Sequence, residues 1–173
     1  GTGKTTVARI MAELLFRCGL LAKPDVVETS GLNLTGEAVG QTKKKVEEEL
    51  DKAKGGVLFV DEAYNMGKGQ FGSEACDTLV AAMTDPQYAG LVVVIAGYPA
   101  DIDRMLETNA GLKSRFTHTL EFPDWRPEDC CKFFMSKADA KKFTLEPEAA
   151  KAALVDGFET LVKLSGWGNA RDV

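Results

Sequence analysis

Val57-Leu58-Phe59-Val60 and Leu91 to Ala96 are apolar at every position. Unbroken apolar runs of that length, without alternation, are the pattern of strands covered on both faces in a parallel sheet. A third, shorter strand is predicted over Asp25–Thr29, entered through Pro24, and a last one over Thr119–Phe122. Between them the apolar period changes to that of a helix. Val7, Ile10, Met11, Leu14 and Leu15 recur at i, i+3, i+4, i+7 and i+8, which predicts one buried helical face between Lys4 and Leu20. Val46, Leu50 and Ala53 make a thin stripe on a charged helix over Thr42–Lys54, broken by Gly55-Gly56. Cys76, Leu79, Val80 and Met83 mark a helix over Ser73–Thr84 with Ser73 as its cap, and Ile102, Met105 and Leu106 mark a shorter one.

Residues 31–42 and 64–72 are glycine-rich and predict loops, and Asn109–Phe116 predicts an irregular stretch. Pro127 and Pro147 sit where proline opens helices, predicted over Pro127–Lys141 and Pro147–Leu164. Strands alternating with helices, then helices alone, predict an α/β core over residues 1–124 and a small helical part over residues 125–173.

Charge and composition exclude more than they add. With 21 basic and 26 acidic residues the net charge of −5 argues against a nucleic-acid-coating surface. The Lys43-Lys44-Lys45 run belongs to a solvated helix face. No apolar run approaches the length needed to span a bilayer, so no membrane role is expected. Cys18, Cys76, Cys130 and Cys131 lack metal or redox spacing and predict reduced, mostly packed thiols in an intracellular, cytoplasmic setting. His118, the only histidine, is expected to be structural.

The chemistry sits at two places. Gly1-Thr2-Gly3-Lys4-Thr5-Thr6 opens directly into the first helix and matches the later part of a phosphate-binding loop, G-x-x-x-x-G-K-[ST]. Glycines let backbone N–H groups turn inward on an anion, and the helix adds its free N–H groups and positive dipole end. Lys4 supplies a mobile charge for the outer phosphates, and the Thr5 hydroxyl suits a magnesium ion. A glycine turn before an ordinary helix would read the same in isolation. The second place removes that ambiguity. Asp61-Glu62 ends the first apolar run, where open α/β sheets gather their ligands. Asp61 is expected to hold Mg²⁺ and Glu62 to polarise the water that attacks the γ-phosphate.

Together with Leu58-Phe59-Val60-Asp61-Glu62-Ala63-Tyr64, Val94-Ile95-Ala96-Gly97-Tyr98, Ser114-Arg115-Phe116 and Gly168-Asn169-Ala170-Arg171, these motifs stand in the order of the AAA+ ATPases. More narrowly the chain resembles their CbbX/CfxQ branch, the rubisco-activase-like and stage V sporulation protein K-like members. The resemblance covers residues 1–173. It implies a P-loop NTPase three-layer sandwich followed by the start of a helical lid, with the chain entering the fold after its first strand. A chain lacking that strand is expected to be poorly stable on its own, with unpaired groups on the neighbouring strands. The resemblance further implies ATP and Mg²⁺ as cofactors, a hexameric ring of like modules, and a client protein remodelled by ATP hydrolysis. A subunit that binds nucleotide only to hold such a ring together is the alternative, and a P-loop kinase has no acceptor pocket to support it. Arg115 matches the finger that reaches a neighbouring subunit's γ-phosphate. Arg171 matches the sensor arginine of the lid, and Tyr98 falls near the sensor position that orients water. The pore-loop position is Thr35–Gly40, where Ala38 stands in place of the expected aromatic and Val39 keeps the hydrophobic half, so the grip on a client is expected to be weak.

Overall fold

Central to the fold is β2 (Val57–Asp61), hydrogen-bonded in parallel to β1 (Val26–Ser30) on one side and β3 (Val92–Ile95) on the other. The register pairs Val26 with Val57 and Val57 with Val92. The computed structural model describes residues 3–36, 38, 40–68, 72–143 and 147–173, with no side-chain description for 147–151. The chain forms two compact units, one of residues 5–119 and one of residues 120–173 with 1–4. The sheet belongs to the first.

Val57, Leu58, Phe59 and Val60 are all buried, as an unbroken apolar run predicts, and successive side chains serve opposite faces. On one face Phe59 packs with Ala8 and Ala96, and Val57 with Ala12 and Leu21. Ala8 and Ala12 belong to α1 (Lys4–Arg17). On the other, Leu58 and Val60 join the main core with Val46 and Leu50 of α2 (Gln41–Ala53) and Ala75, Cys76 and Leu79 of α3 (Gly72–Ala82). Met105 of α4 (Pro99–Thr108) and Leu112 of α5 (Ala110–Arg115) complete it. The result is three layers, helix on sheet on helices.

Several expectations need correction. The buried stripe of α1 is Ala8 and Ala12, while Ile10 and Leu14 are 62% and 59% exposed. Two alanines let the helix approach the sheet closely, and Ile10 and Leu14, two positions after them, fall on the far side. Residues 109–116 are not irregular: the Asn109 side chain accepts from the Leu112 N–H at 3.1 Å, and fully buried Leu112 anchors α5. Ala63–Gly67 is a 3-10 turn within a predicted loop. α3 starts at Gly72, which places Ser73 inside the first turn and not at its cap. Thr119–Phe122 forms no strand, and Leu120 is 63% exposed. A few β-prone residues without a paired neighbour leave their backbone groups to water and hold no extended ladder. His118 is exposed, its ring nitrogen 3.1 Å from the Thr117 hydroxyl. The long loop after β1 is pinned, because Leu34 is fully buried and the buried Thr42 hydroxyl accepts from the Gly36 N–H at 2.9 Å.

The other unit pairs α6 (Pro127–Ala140) with α7 (Pro147–Leu161) over Cys130, Cys131 and Phe158. Asn169, left-handed at φ 56° and buried, accepts from the Trp125 N–H at 2.6 Å and donates to Asp124 at 2.9 Å. The last turn of the chain is thereby fastened to the lead-in of α6. No helix among the described residues is long and apolar enough to cross a membrane.

Three stability predictions follow from two glycines and one buried phenol. A Cβ on Gly31 would sit 2.6 Å from the Glu62 carbonyl oxygen and 3.0 Å from both the Ala63 carbonyl oxygen and the Met66 nitrogen. Because backbone cannot give way cheaply, Gly31→Ala costs about 1–3 kcal/mol, read as a lowered urea midpoint. Gly157 in α7 has open space around it, so Gly157→Ala stabilises by about 0.5–1 kcal/mol. Both tryptophans, Trp125 and Trp167, lie in that helical unit, so fluorescence follows its unfolding. Tyr88, 8% exposed, donates to Asp51 at 3.1 Å; burial first, then that hydrogen bond, pushes its phenol up to about 12. A folded pKa raised above the unfolded value of about 10 gives stability that is whole below pH 10 and lost as pH climbs through 12. Urea midpoints between pH 9 and pH 12 should fall more steeply for the native chain than for Tyr88→Phe, and parallel curves would contradict this.

Candidate functional site

α1 runs against the direction of the strands. Ala8 lies at the level of Phe59 and Ala96, whereas Ala12, one turn later, lies at the level of Val57. Going back one turn from Ala8 to Thr5 moves about 4.5 Å toward the C-terminal ends of the strands. Going from Phe59 to Asp61 moves about 6–7 Å the same way. Asp61 also shares its face with Phe59 and Val57, the face α1 covers. Thr5 and Asp61 therefore stand at one end and on one side of the sheet. Gly3, at φ 94°, takes the left-handed conformation immediately before the helix begins. Lys4 opens α1 and Thr6 is exposed in its first turn. Gly1 and Thr2 lie outside the described residues.

The backbone past Asp61 is fastened from both neighbours. Gly31 N–H donates to the Asp61 carbonyl at 2.9 Å, and Ala63 N–H donates to the Ala96 carbonyl at 2.9 Å. The Asp61 carboxylate accepts from the Glu62 N–H at 3.0 Å. Between these anchors Glu62 is left-handed, φ 46° and ψ 42°, with an exposed side chain. Left-handed backbone at a non-glycine residue costs on the order of 1–3 kcal/mol and persists where the surroundings impose it. Asn65 and Lys68 follow Glu62 on the same turn, a constellation the sequence reading missed; its signal is the i, i+3, i+6 spacing, visible only once a 3-10 turn is known.

Tyr98 lies just past β3 at the start of α4, 68% exposed, with its ring 6.3 Å from that of Tyr64. Partial burial first, then the carboxylates of Glu62 and Asp101, hold the Tyr64 phenol above its usual value. Arg115 ends α5, where its guanidinium donates to the Gly111 carbonyl at 3.0 Å. A hydrogen bond from Asn109 to Asp77, 3.0 Å, ties that helix to α3. Arg171 is exposed on a 3-10 turn, Asn169–Arg171, in the other unit. Ala38 is exposed and its carbonyl accepts from the Gln41 N–H at 3.2 Å; Val39 lies outside the described residues.

What this end of the sheet can hold follows from its donors. Among the described residues no three His, Cys, Asp or Glu side chains converge on a metal position. One carboxylate and one hydroxyl, both hard oxygens, fit a magnesium ion that keeps waters and arrives with a phosphate, better than a metal needing a full protein cage. Buried Cys76, its thiol pushed up to about 11 by burial, and buried Cys130 are unreactive packing groups.

Comparison with known proteins agrees with the geometry. The ESX-1 secretion system protein EccA1 of Mycobacterium tuberculosis is 45% identical over 157 residues, 87% of this chain and 27% of that protein. Stage V sporulation protein K of Bacillus subtilis is 39% identical over 152 residues, 86% of this chain and 47% of its own length. The ESX-3 secretion system protein EccA3 of Mycobacterium leprae is 40% identical over 153 residues, 86% and 24% respectively. The chain thus spans between about a quarter and a half of these relatives. Residues 1–124 match the ATPase family associated with various cellular activities (AAA), and the chain belongs to that family.

Proposed function

We propose that the chain binds ATP with magnesium and hydrolyses it, coupling turnover to the remodelling of a partner protein within a ring of like subunits. The observation that carries this reading is the placing of Asp61 and Glu62 at the C-terminal end of the central strand, on the side and at the end where α1 begins. Residues 1–124 act as the ATPase core and residues 125–173 as the start of a lid. The motif order, together with similarity to stage V sporulation protein K, supports membership of the CbbX/CfxQ branch. The names of the relatives tie them to secretion and sporulation, and a protein client inside the cell is the corresponding reading here.

In this reading Gly1, Thr2, Gly3, Lys4, Thr5 and Thr6 cradle the phosphates, with the α1 dipole directed at them. Thr5 and Asp61 hold magnesium, which when bound neutralises charge on the phosphate oxygens. Glu62, exposed and in no ion pair among the described residues, takes a proton from water as its oxygen attacks the γ-phosphorus, and the bond to the bridging oxygen of ADP breaks. Tyr98 helps orient that water, and Arg171 touches the nucleotide from the lid. Arg115 acts on a neighbouring subunit's γ-phosphate, giving up the Gly111 carbonyl for a charged acceptor. The exposed alanine at position 38 favours a second reading, a ring subunit that binds nucleotide as a scaffold and grips little.

Glu62→Gln separates the two. Hydrolysis predicts turnover down by about 10²–10⁴ with ATP affinity retained, whereas a scaffold shows no change. Arg115→Ala should lower turnover by about 10³ or more. Mixing Glu62→Gln with Arg115→Ala subunits should restore part of the activity, because some interfaces then carry both intact groups. Mixed assemblies as silent as either parent would argue against an arginine supplied in trans.

A further inference from the structure

Glu62, Asn65 and Lys68 are three residues apart along a segment that is a 3-10 turn from Ala63 to Gly67. In such a turn side chains three apart eclipse one another. The main chain repeats the spacing, with Asn65 N–H donating to the Glu62 carbonyl at 3.0 Å and Lys68 N–H to the Asn65 carbonyl at 3.3 Å. The side chains follow it. Lys68 Nζ donates to Asn65 Oδ1 at 3.2 Å, and Asn65 Nδ2 donates to Glu62 Oε2 at a longer 3.5 Å. An ammonium can only donate, so it takes the oxygen of the amide and leaves the NH₂ to face the carboxylate. Lys68 is itself held over the Tyr64 ring, 4.6 Å from its centroid.

We infer that Asn65 is a positioning residue for the Glu62 carboxylate, with Lys68 fixing which way the Asn65 amide points. The inference rests on the reading of Glu62 as the base of ATP hydrolysis and adds the group that orients it. An exposed glutamate has several rotamers of similar energy, and the donor on Oε2 restricts them, with no donor to Oε1 among the described residues. The neutral amide passes the lysine's orientation on to the carboxylate without an ion pair. Catalytic hydrogen bonds that are long in the free protein tighten when substrate is bound, which accommodates the 3.5 Å separation.

The test is a double-mutant cycle on the assembled protein, with ATP kcat, KM and Kd measured for Asn65→Ala, Lys68→Met and the pair. Asn65→Ala should lower kcat about tenfold and Lys68→Met about threefold, a part of the effect of removing the base itself. KM and Kd should stay within about twofold, since binding groups are untouched. The pair should be no worse than Asn65→Ala, because the lysine acts only through the amide. An unchanged kcat in Asn65→Ala, losses that multiply, or a raised KM at constant kcat would each overturn the inference. Should Asn65→Ala fail to fold, Lys68→Met on an exposed side chain decides alone, and an unchanged kcat there overturns it. Absence of turnover in the unaltered protein is a different result, since it overturns the hydrolase reading and takes this inference with it.

Discussion

A strand covered on both faces can offer chemistry only at its ends. Burial of Val57, Leu58, Phe59 and Val60 contributes about 1.5–3 kcal/mol for each side chain, and a charge at any of those four positions would forfeit that and add a desolvation cost. The first position at which a carboxylate is tolerated is Asp61, half-buried at the last residue of the strand. The same burial requires a close-fitting helix on one side. Ala8 and Ala12 meet the sheet with the smallest side chains available, and their order fixes the direction of α1. A helix laid the other way would bring its carbonyl end, with its negative dipole, to the carboxylates. As built, the positive end and the acids share one edge of the sheet.

That end of the sheet also carries a left-handed non-glycine residue. Glu62 sits in a left-handed conformation between two inter-strand hydrogen bonds, one from Gly31 and one to Ala96, and under the side chain of Asp61. These restraints act within three residues and each comes from a different strand. Relaxing Glu62 would disturb these hydrogen bonds just past the strands, which thereby set the direction in which the 3-10 turn starts. Gly31 belongs to the same device: its missing Cβ is what lets the end of β1 lie against the backbone of residues 62–66.

How much of this was legible depended on whether the controlling interaction is local. The parallel sheet, the Val46-Leu50-Ala53 stripe and the Asp61-Glu62 pair follow from patterns within one element, and the sequence carries them openly. The α1 face did not, because alanines rank low in any reading that weights large apolar residues, and Ile10 and Leu14 overshadowed them. Helix α5 is six residues long and rests on one cap and one buried leucine, too little periodicity to detect. The expected strand at Thr119–Phe122 failed for the opposite reason: its composition suits a strand, but a strand is a pairwise structure and no described strand pairs with it. Asn65 and Lys68 were invisible for a fourth reason, since their alignment with Glu62 exists only in the tighter 3-10 repeat.

The resting place of Arg115 bears on how a site shared between subunits would avoid idle chemistry. Its guanidinium donates to a carbonyl of its own helix, at the end where a helix dipole favours a cation. That contact is a hydrogen bond to a neutral acceptor. A phosphate oxygen offers a charged one, roughly twice as strong, in a geometry that suits the planar fork. Under the hydrolysis proposed here, the arginine therefore gains by leaving Gly111 only when a neighbour presents a nucleotide, and the asparagine bond from Asn109 to Asp77 keeps the helix it departs from in place. Glu62 differs: its left-handed backbone lies between hydrogen bonds to neighbouring segments, and its exposed carboxylate accepts from the Asn65 amide at 3.5 Å. Under the same proposal the base is oriented from its own turn while the arginine exchanges one acceptor for a stronger one, so the arrival of the arginine and not the base would set the moment of reaction.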